Sequence, residues 1–234
     1  MDVTARINDV YGEIAKINGK SRKTHVFDHN GYPIYAFQYG RNPEVFVSSG
    51  MHCDEWTEIY AHLFFLHNLG TRRNFPPFVS IPFINPVGLT KYPKRDRSNR
   101  RWGGKAKTEG ILQRTIRNYL SRFNFQDSLD MHEDTDMRRA YVYERFRNGK
   151  ASLARKILDS LHYPVLKAEE IYKEECVEGV VPSNHIEENT LESMMFHDFE
   201  TNHSLTSEVP GKLSREHRVK CGTQILTLFM KHLH

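Results

Sequence analysis

Short apolar, β-branched runs alternate along this chain with longer segments of helical period, and that alternation constrains the fold more than any other feature of the sequence. Val45-Phe46-Val47-Ser48-Ser49-Gly50 is a near-continuous apolar run of the buried-strand type. Residues 54–69, with apolar positions at 56, 59, 60, 63, 64 and 66, read as a helix closed by Gly70. Further strands are expected at 78–84, 127–131, 141–143 and 205–207, with Pro82 placing the first of these at a sheet edge or a bulge. Helices are expected at 110–123, 150–162 and 213–233. Strands alternating with helices predict an α/β fold: a mixed, mostly parallel sheet covered by helices on both faces.

The N-terminal segment fits the same unit. Apolar positions 3, 7, 10, 14 and 17 recur at helical spacing, so residues 2–17 read as an amphipathic helix ending at Asn18-Gly19. Two strand-like runs, 23–28 and 33–39, follow and are joined by His29-Asn30-Gly31, a hairpin signal. No composition shift marks a boundary, so residues 1–234 are expected to form a single domain with the helix and hairpin of 1–40 as part of it. Residues 164–204 are charged and carry little periodicity beyond a helix near 190–199.

Composition narrows the chemistry. The three cysteines of the 234 residues, at 53, 176 and 221, contain no Cys-x-x-Cys, which excludes a thiolate zinc knuckle and a disulfide framework. The N-terminus has charges throughout and no apolar run of signal-peptide length, and no window reaches the roughly 20 apolar residues of a membrane span. The expected setting is therefore cytoplasmic, with no membrane partner. The formal net charge of +4 is mild, and much of the basic character gathers in residues 85–109, a polar stretch long enough to be a functional loop. This loop is read as solvated, with one or two Arg turned inward, rather than as a nucleic-acid patch.

Ligands of such sheets gather at the carboxyl ends of the strands. One strand runs out into Gly50-Met51-His52-Cys53-Asp54-Glu55, another into Leu129-Asp130-Met131-His132-Glu133-Asp134, and a late one into Thr206-Ser207-Glu208. These ends present His, Glu, His and a further Glu. Two His and one carboxylate are a common ligand set of catalytic zinc, which leaves a fourth position for water. His52 and Glu55, three residues apart at the mouth of a helix, can reach one point, and His132 would complete the set. Glu208 would remain to take a proton from water made acidic by the metal. Cys53 is read as a small packed residue, and Glu133 and Asp134 as solvated or structural. The other eleven His are background.

The ordered succession Gly50-Met51-His52-Cys53-Asp54-Glu55, Asn85-Pro86-Val87-Gly88, Ser98-Asn99-Arg100, Leu129-Asp130-Met131-His132 and Thr206-Ser207-Glu208 resembles the zinc carboxypeptidases of the carboxypeptidase A type, including small bacterial members and the related aspartoacylase/succinylglutamate desuccinylase group. The resemblance implies one Zn²⁺ per chain held by His52, Glu55 and His132, with Glu208 as general base and Asp130 supporting His132. It implies that Asn99 and Arg100 hold a substrate's terminal carboxylate, a role suited to the planar Arg fork. Arg95 is the candidate for stabilising the oxyanion, with Lys94 and Arg97 beside it. Arg97 stands where the family pattern has Asp, and no Tyr follows Tyr172, so a Tyr over the substrate would have to be Tyr141 or Tyr143. By position, the bottom of a specificity pocket falls near Leu191–Met195. The expected activity is removal of a C-terminal residue from a peptide; the alternatives are hydrolysis of an N-acyl amino acid and, from a different class, a non-catalytic basic binding protein on this fold.

Overall fold

A computed structural model of the chain describes residues 2–52, 54–71, 75–91, 110–147, 152–171, 174–183 and 190–233. Its centre is one ten-stranded mixed sheet. The strands are β1 (Ser21–His29), β2 (Tyr32–Tyr39), β3 (Val45–Ser49), β4 (Phe78–Ile81), β5 (Asp127–Asp134), β6 (Tyr141–Phe146), β7 (Ala168–Ile171), β8 (Glu174–Val177), β9 (Val180–Pro182) and β10 (His203–Pro210). Their spatial order is β1-β2-β4-β3-β5-β10-β6-β9-β8-β7. The four central strands β4, β3, β5 and β10 run parallel, and antiparallel pairings predominate on both flanks.

Helices α1 (Val3–Lys16), α2 (Trp56–His67), α5 (Leu153–Asp159) and α7 (Arg215–His232) cover one face. There Ile7 and Val10 of α1, Ile59, Leu63 and Phe65 of α2, and Ile225 and Phe229 of α7 meet Val45, Val47, Leu129, Met131 and Leu205 of the sheet. Helices α4 (Ile111–Leu120) and α6 (Leu191–His197) cover the other, where Ile116, Leu120, Leu191 and Met194 pack with Phe46, Val79 and Ile81. Val45 and Phe46 fall in different cores because alternate residues of a strand face opposite sides. Each of these apolar side chains contributes about 1.5–3 kcal/mol by leaving water. A short helix, α3 (Pro86–Lys91), follows β4.

Two local readings change. Pro82 lies just beyond β4, and β4 sits between β2 and β3 rather than at an edge, so the missing N–H of proline falls outside the ladder. The aperiodic region 164–204 contributes three short strands and α6. Strands β7 to β9 extend the sheet from β6 over a small core of Tyr141, Tyr143, Leu166, Ile171, Cys176 and Val181. Among the described residues no helix is long and apolar enough to cross a membrane.

Candidate metal centre

The centre forms where the parallel strands end. Gly50 closes β3 at φ +74, a left-handed conformation, and a Cβ there would stand 2.9 Å from the Ile59 side chain. Glycine therefore lets the chain turn tightly under α2 and deliver His52. Asn85 fixes the same turn from the next strand end. Its Nδ2 donates to the Met51 carbonyl at 3.1 Å, and its Oδ1 accepts from the Gly88 N–H at 3.0 Å. The Asn-Pro-x-Gly segment thus anchors the backbone beside His52 while starting α3.

His52, Glu55 and His132 converge, each offering one ligand atom, with these atoms all within 4.8 Å of one another; among the described residues they are the group able to hold a metal ion. His52 Nδ1 lies 2.7 Å from Glu55 Oε1, His132 Nδ1 lies 2.7 Å from Glu55 Oε2, and the two Nδ1 atoms are 3.1 Å apart. Glu55 and His132 are buried, whereas the His52 side chain is 29% exposed, so the cluster opens to solvent on the His52 side. Glu55 occupies the N-cap position of α2 but makes no capping bond, leaving its carboxylate for the histidines.

The ring orientation of His132 follows from its other contact. His132 Nε2 donates to Asp130 Oδ2 at 2.8 Å, and Ser48 Oγ donates to Asp130 Oδ1 at 2.7 Å. A carboxylate with both oxygens accepting fixes the Nε2–H tautomer and turns the Nδ1 lone pair of the neutral ring toward Glu55 and His52. Glu55 Oε2, although fully buried and close to that nitrogen, takes part in no well-aligned hydrogen bond. Three lone-pair donors facing one another repel unless a proton or a cation sits between them, so the donor set fits a metal ion. In the protonated arrangement, burial alone would raise the Glu55 pKa, but the charges of His52 and His132 outweigh it and hold the carboxyl well below the usual range. Burial likewise opposes charge on His132, and Glu55 and Asp130 override it, raising His132 well above the ordinary imidazole value.

Strand register places the remaining expected residues. Glu208 on β10 is the direct partner of His132, and Tyr141 on β6 is the partner of Glu208, so all three share one row and one sheet face. The row beneath holds Ser48, Asp130, Thr206 and Tyr143. Glu208 is partly exposed. Tyr141 and Tyr143 are buried edge to face, and the Tyr141 hydroxyl donates to Asp134 Oδ2 at 2.7 Å. Arg95, Asn99, Arg100 and Cys53 lie outside the described residues.

The Leu191–Met195 segment is α6, lying over the same face, with Glu192 buried against it. Thr206 Oγ1 donates to Glu192 Oε2 at 3.2 Å, and Arg145 Nε approaches Oε1 at 3.3 Å. Burial pushes the Glu192 pKa up to about 7, opposed chiefly by Arg145.

The opposite side of the strand ends carries Glu133 and two further groups, Glu58 and His62, that the sequence did not single out. Glu133 is fully buried, not solvated, and accepts from Thr57 Oγ1 and from Arg218 Nη1. Glu58 is fully buried, and among the described residues neither of its oxygens has a hydrogen-bond partner. Burial, and then the charges of Glu133 and Glu55, raise its pKa well above the carboxylate range. His62 is buried with Nδ1 3.1 Å from Ser49 Oγ, and burial lowers its pKa to about 3. A Glu and a His four apart on an otherwise apolar helix were the available signal.

No protein-family model matches the chain, and no curated protein matches it in sequence. Solved structures do. A candidate metallopeptidase from Shewanella denitrificans superposes with a TM-score of 0.81 at 21% identity, over 97% of this chain and 90% of that one. The fold is carboxypeptidase A-like. A metallo-carboxypeptidase from Burkholderia cenocepacia matches with a TM-score of 0.73 at 14% identity, covering 98% of this chain and 68% of its own. The carboxypeptidase A of Helicoverpa armigera matches at 0.64 and 13% identity, over 98% of this chain and 72% of that one. At such identities the likeness establishes architecture, and the chemistry has to be argued from this chain's own residues.

Proposed function

We propose that this protein is a zinc-dependent metallocarboxypeptidase that hydrolyses the C-terminal peptide bond of a peptide. The observation that carries the reading is the convergence of His52, Glu55 and His132 at the ends of β3 and β5, with Glu208 in register beside His132. Nitrogen and carboxylate donors in a three-residue set suit zinc and leave a position for water, as in catalytic rather than structural sites. Zinc, when bound by His52, Glu55 and His132, would polarise the scissile carbonyl and make water acidic enough to attack near neutral pH.

The chain's own groups would do the rest. Glu208 would take the proton of the attacking water and return it to the leaving amine. Asp130, bonded to His132 Nε2, holds that ring in the tautomer that presents Nδ1. Asn99 and Arg100 would receive the terminal carboxylate, and Arg95 the charge developing on the carbonyl oxygen. All three belong to the basic stretch that follows α3, which begins beside the site at Asn85. Tyr141, with its hydroxyl on Asp134, would serve as a wall beside Glu208, with Tyr143 packed behind it.

The test measures zinc content and release of C-terminal residues from short peptides by the purified full chain. The parent is expected to hold one zinc per chain and turn over. Glu208→Gln is expected to keep the zinc and lose about 10²–10⁴-fold in kcat. A parent without stoichiometric metal overturns the reading; a parent that cleaves N-acyl amino acids but not peptides moves the activity to a deacylase.

A further inference from the structure

His132 and Glu133 are consecutive on β5 and therefore point to opposite faces of the sheet. His132 faces the metal-binding side, whereas Glu133 faces α2 and α7 and is fully buried. Its Oε2 accepts from the hydroxyl of Thr57 in the first turn of α2, and its Oε1 from the guanidinium of Arg218 in the first turn of α7. Thr57 lies two residues after Glu55. A single side chain thus ties the helix start that supplies one ligand to the strand end that supplies another, across 76 residues of sequence.

The tie falls at a helix start that carries no side-chain cap. Glu55 spends its carboxylate on the histidines and makes no cap, so the exposed end of the helix ladder lacks its usual side-chain acceptor. Core packing holds α2 through Trp56 and Ile59 in its first turn and through Leu63, Phe65 and Leu66 beyond it. Metal ligands have to stand within about 0.5 Å of their productive places. Apolar packing is non-directional and does not by itself fix Glu55 relative to His132 to that tolerance, whereas a directional bond from the residue next to His132 links the two ligand-bearing segments. Arg218 compensates the charge of Glu133 and keeps its second oxygen from turning toward Thr57's place.

We propose that Glu133, braced by Arg218 and bonded to Thr57, is a positioning residue of the metal centre that sets the separation of Glu55 from His132. The inference rests on the metallopeptidase reading above. Neither Glu133 nor its two partners touches the ligand atoms, so the effect runs entirely through placement.

The experiment compares the full-length parent with Thr57→Val, Thr57→Ser, Arg218→Met and Glu133→Gln. Three quantities are read: the zinc dissociation constant by chelator competition, the visible absorption spectrum of the cobalt(II) form, and the Tm of the metal-free protein. Thr57→Val, which removes only the hydroxyl, is expected to weaken zinc about 10–100-fold and alter the cobalt spectrum, with Thr57→Ser restoring both. Glu133→Gln and Arg218→Met are expected to shift affinity and spectrum in the same direction. Wild-type affinity and spectrum in Thr57→Val and Arg218→Met, whatever happens to Tm, overturn the proposal and leave Glu133 a stability residue. Thr57→Val decides if Glu133→Gln does not fold. A parent that binds no zinc overturns the metallopeptidase reading itself and this inference with it, so the two failures are distinct.

Discussion

Glu55 and Glu58 stand three residues apart at the start of α2, both buried, and their surroundings drive their pKa values in opposite directions. Glu55 reaches over the strand ends to two imidazoles and stays ionised. Glu58 points between α2 and α7, where a Cβ on Gly222 would stand 2.4 Å from its Oε2, and its pKa is raised well above the carboxylate range. Burial penalises the charged form of both carboxylates; Glu55 has two imidazoles at 2.7 Å to offset it, whereas Glu58 feels only the charge of His132 against burial and the charges of Glu133 and Glu55. A buried acid is thus a candidate ligand when its surroundings supply positive charge or donors facing it, and a neutral space-filler when they do not.

The same substitution made at both positions would break that contrast or sharpen it. Glu55→Gln removes the charge shared by the two histidines and is expected to abolish stoichiometric metal binding and to reduce peptide hydrolysis to background. Metal analysis of the purified variant checks this, and retained zinc would remove Glu55 from the ligand set. Asp130→Ala acts one step further out. It frees His132 to adopt either tautomer and is expected to weaken metal about 10–100-fold without eliminating it, as chelator competition would read.

Glu58→Gln should have the smallest effect, and of the opposite sign. The pKa of Glu58 is raised in the folded chain, so folding takes up a proton between the ordinary carboxylate range and that raised value. Stability from this group is complete at low pH and is lost as pH rises through the window. A neutral Gln lacks that loss. In metal-free protein, Glu58→Gln is expected to match the parent near pH 4 and to exceed its Tm by about 3–6 °C near pH 8. Parallel Tm curves across that range would show that Glu58 is not held neutral. The zinc content of Glu58→Gln should equal the parent's, in direct contrast with Glu55→Gln.

The candidate ligands were legible because each sits where an apolar strand pattern stops. Gly50 could be read as the end of the same strand pattern, whereas Asn85-Pro86-Val87-Gly88 was legible only through the family resemblance. Strands β7 to β9 could not be read, since β7 and β8 are short and charged and hold their place through β6 and a local core rather than through any period of their own. Glu133 is expected from sequence to be solvated or structural, and the structure decides for the second, since it is fully buried. Its burial depends on Thr57 and Arg218, which lie 76 and 85 residues away.

What the sequence determined by itself is local. Alternation set the strands and helices, glycine at 50 set the turn, and the His and Glu side chains set the available donor chemistry. What the tertiary structure decided is everything that depends on distance across the sheet. Pairing β3 and β10 on either side of β5 brought His52 to His132 across 80 residues and set Glu208 beside it. It also gave Glu55 two imidazoles and left Glu58 between α2 and α7 without a hydrogen-bond partner among the described residues. The physical reason is that an electrostatic environment is made by neighbours in space, and those neighbours exist only once strand register has fixed them.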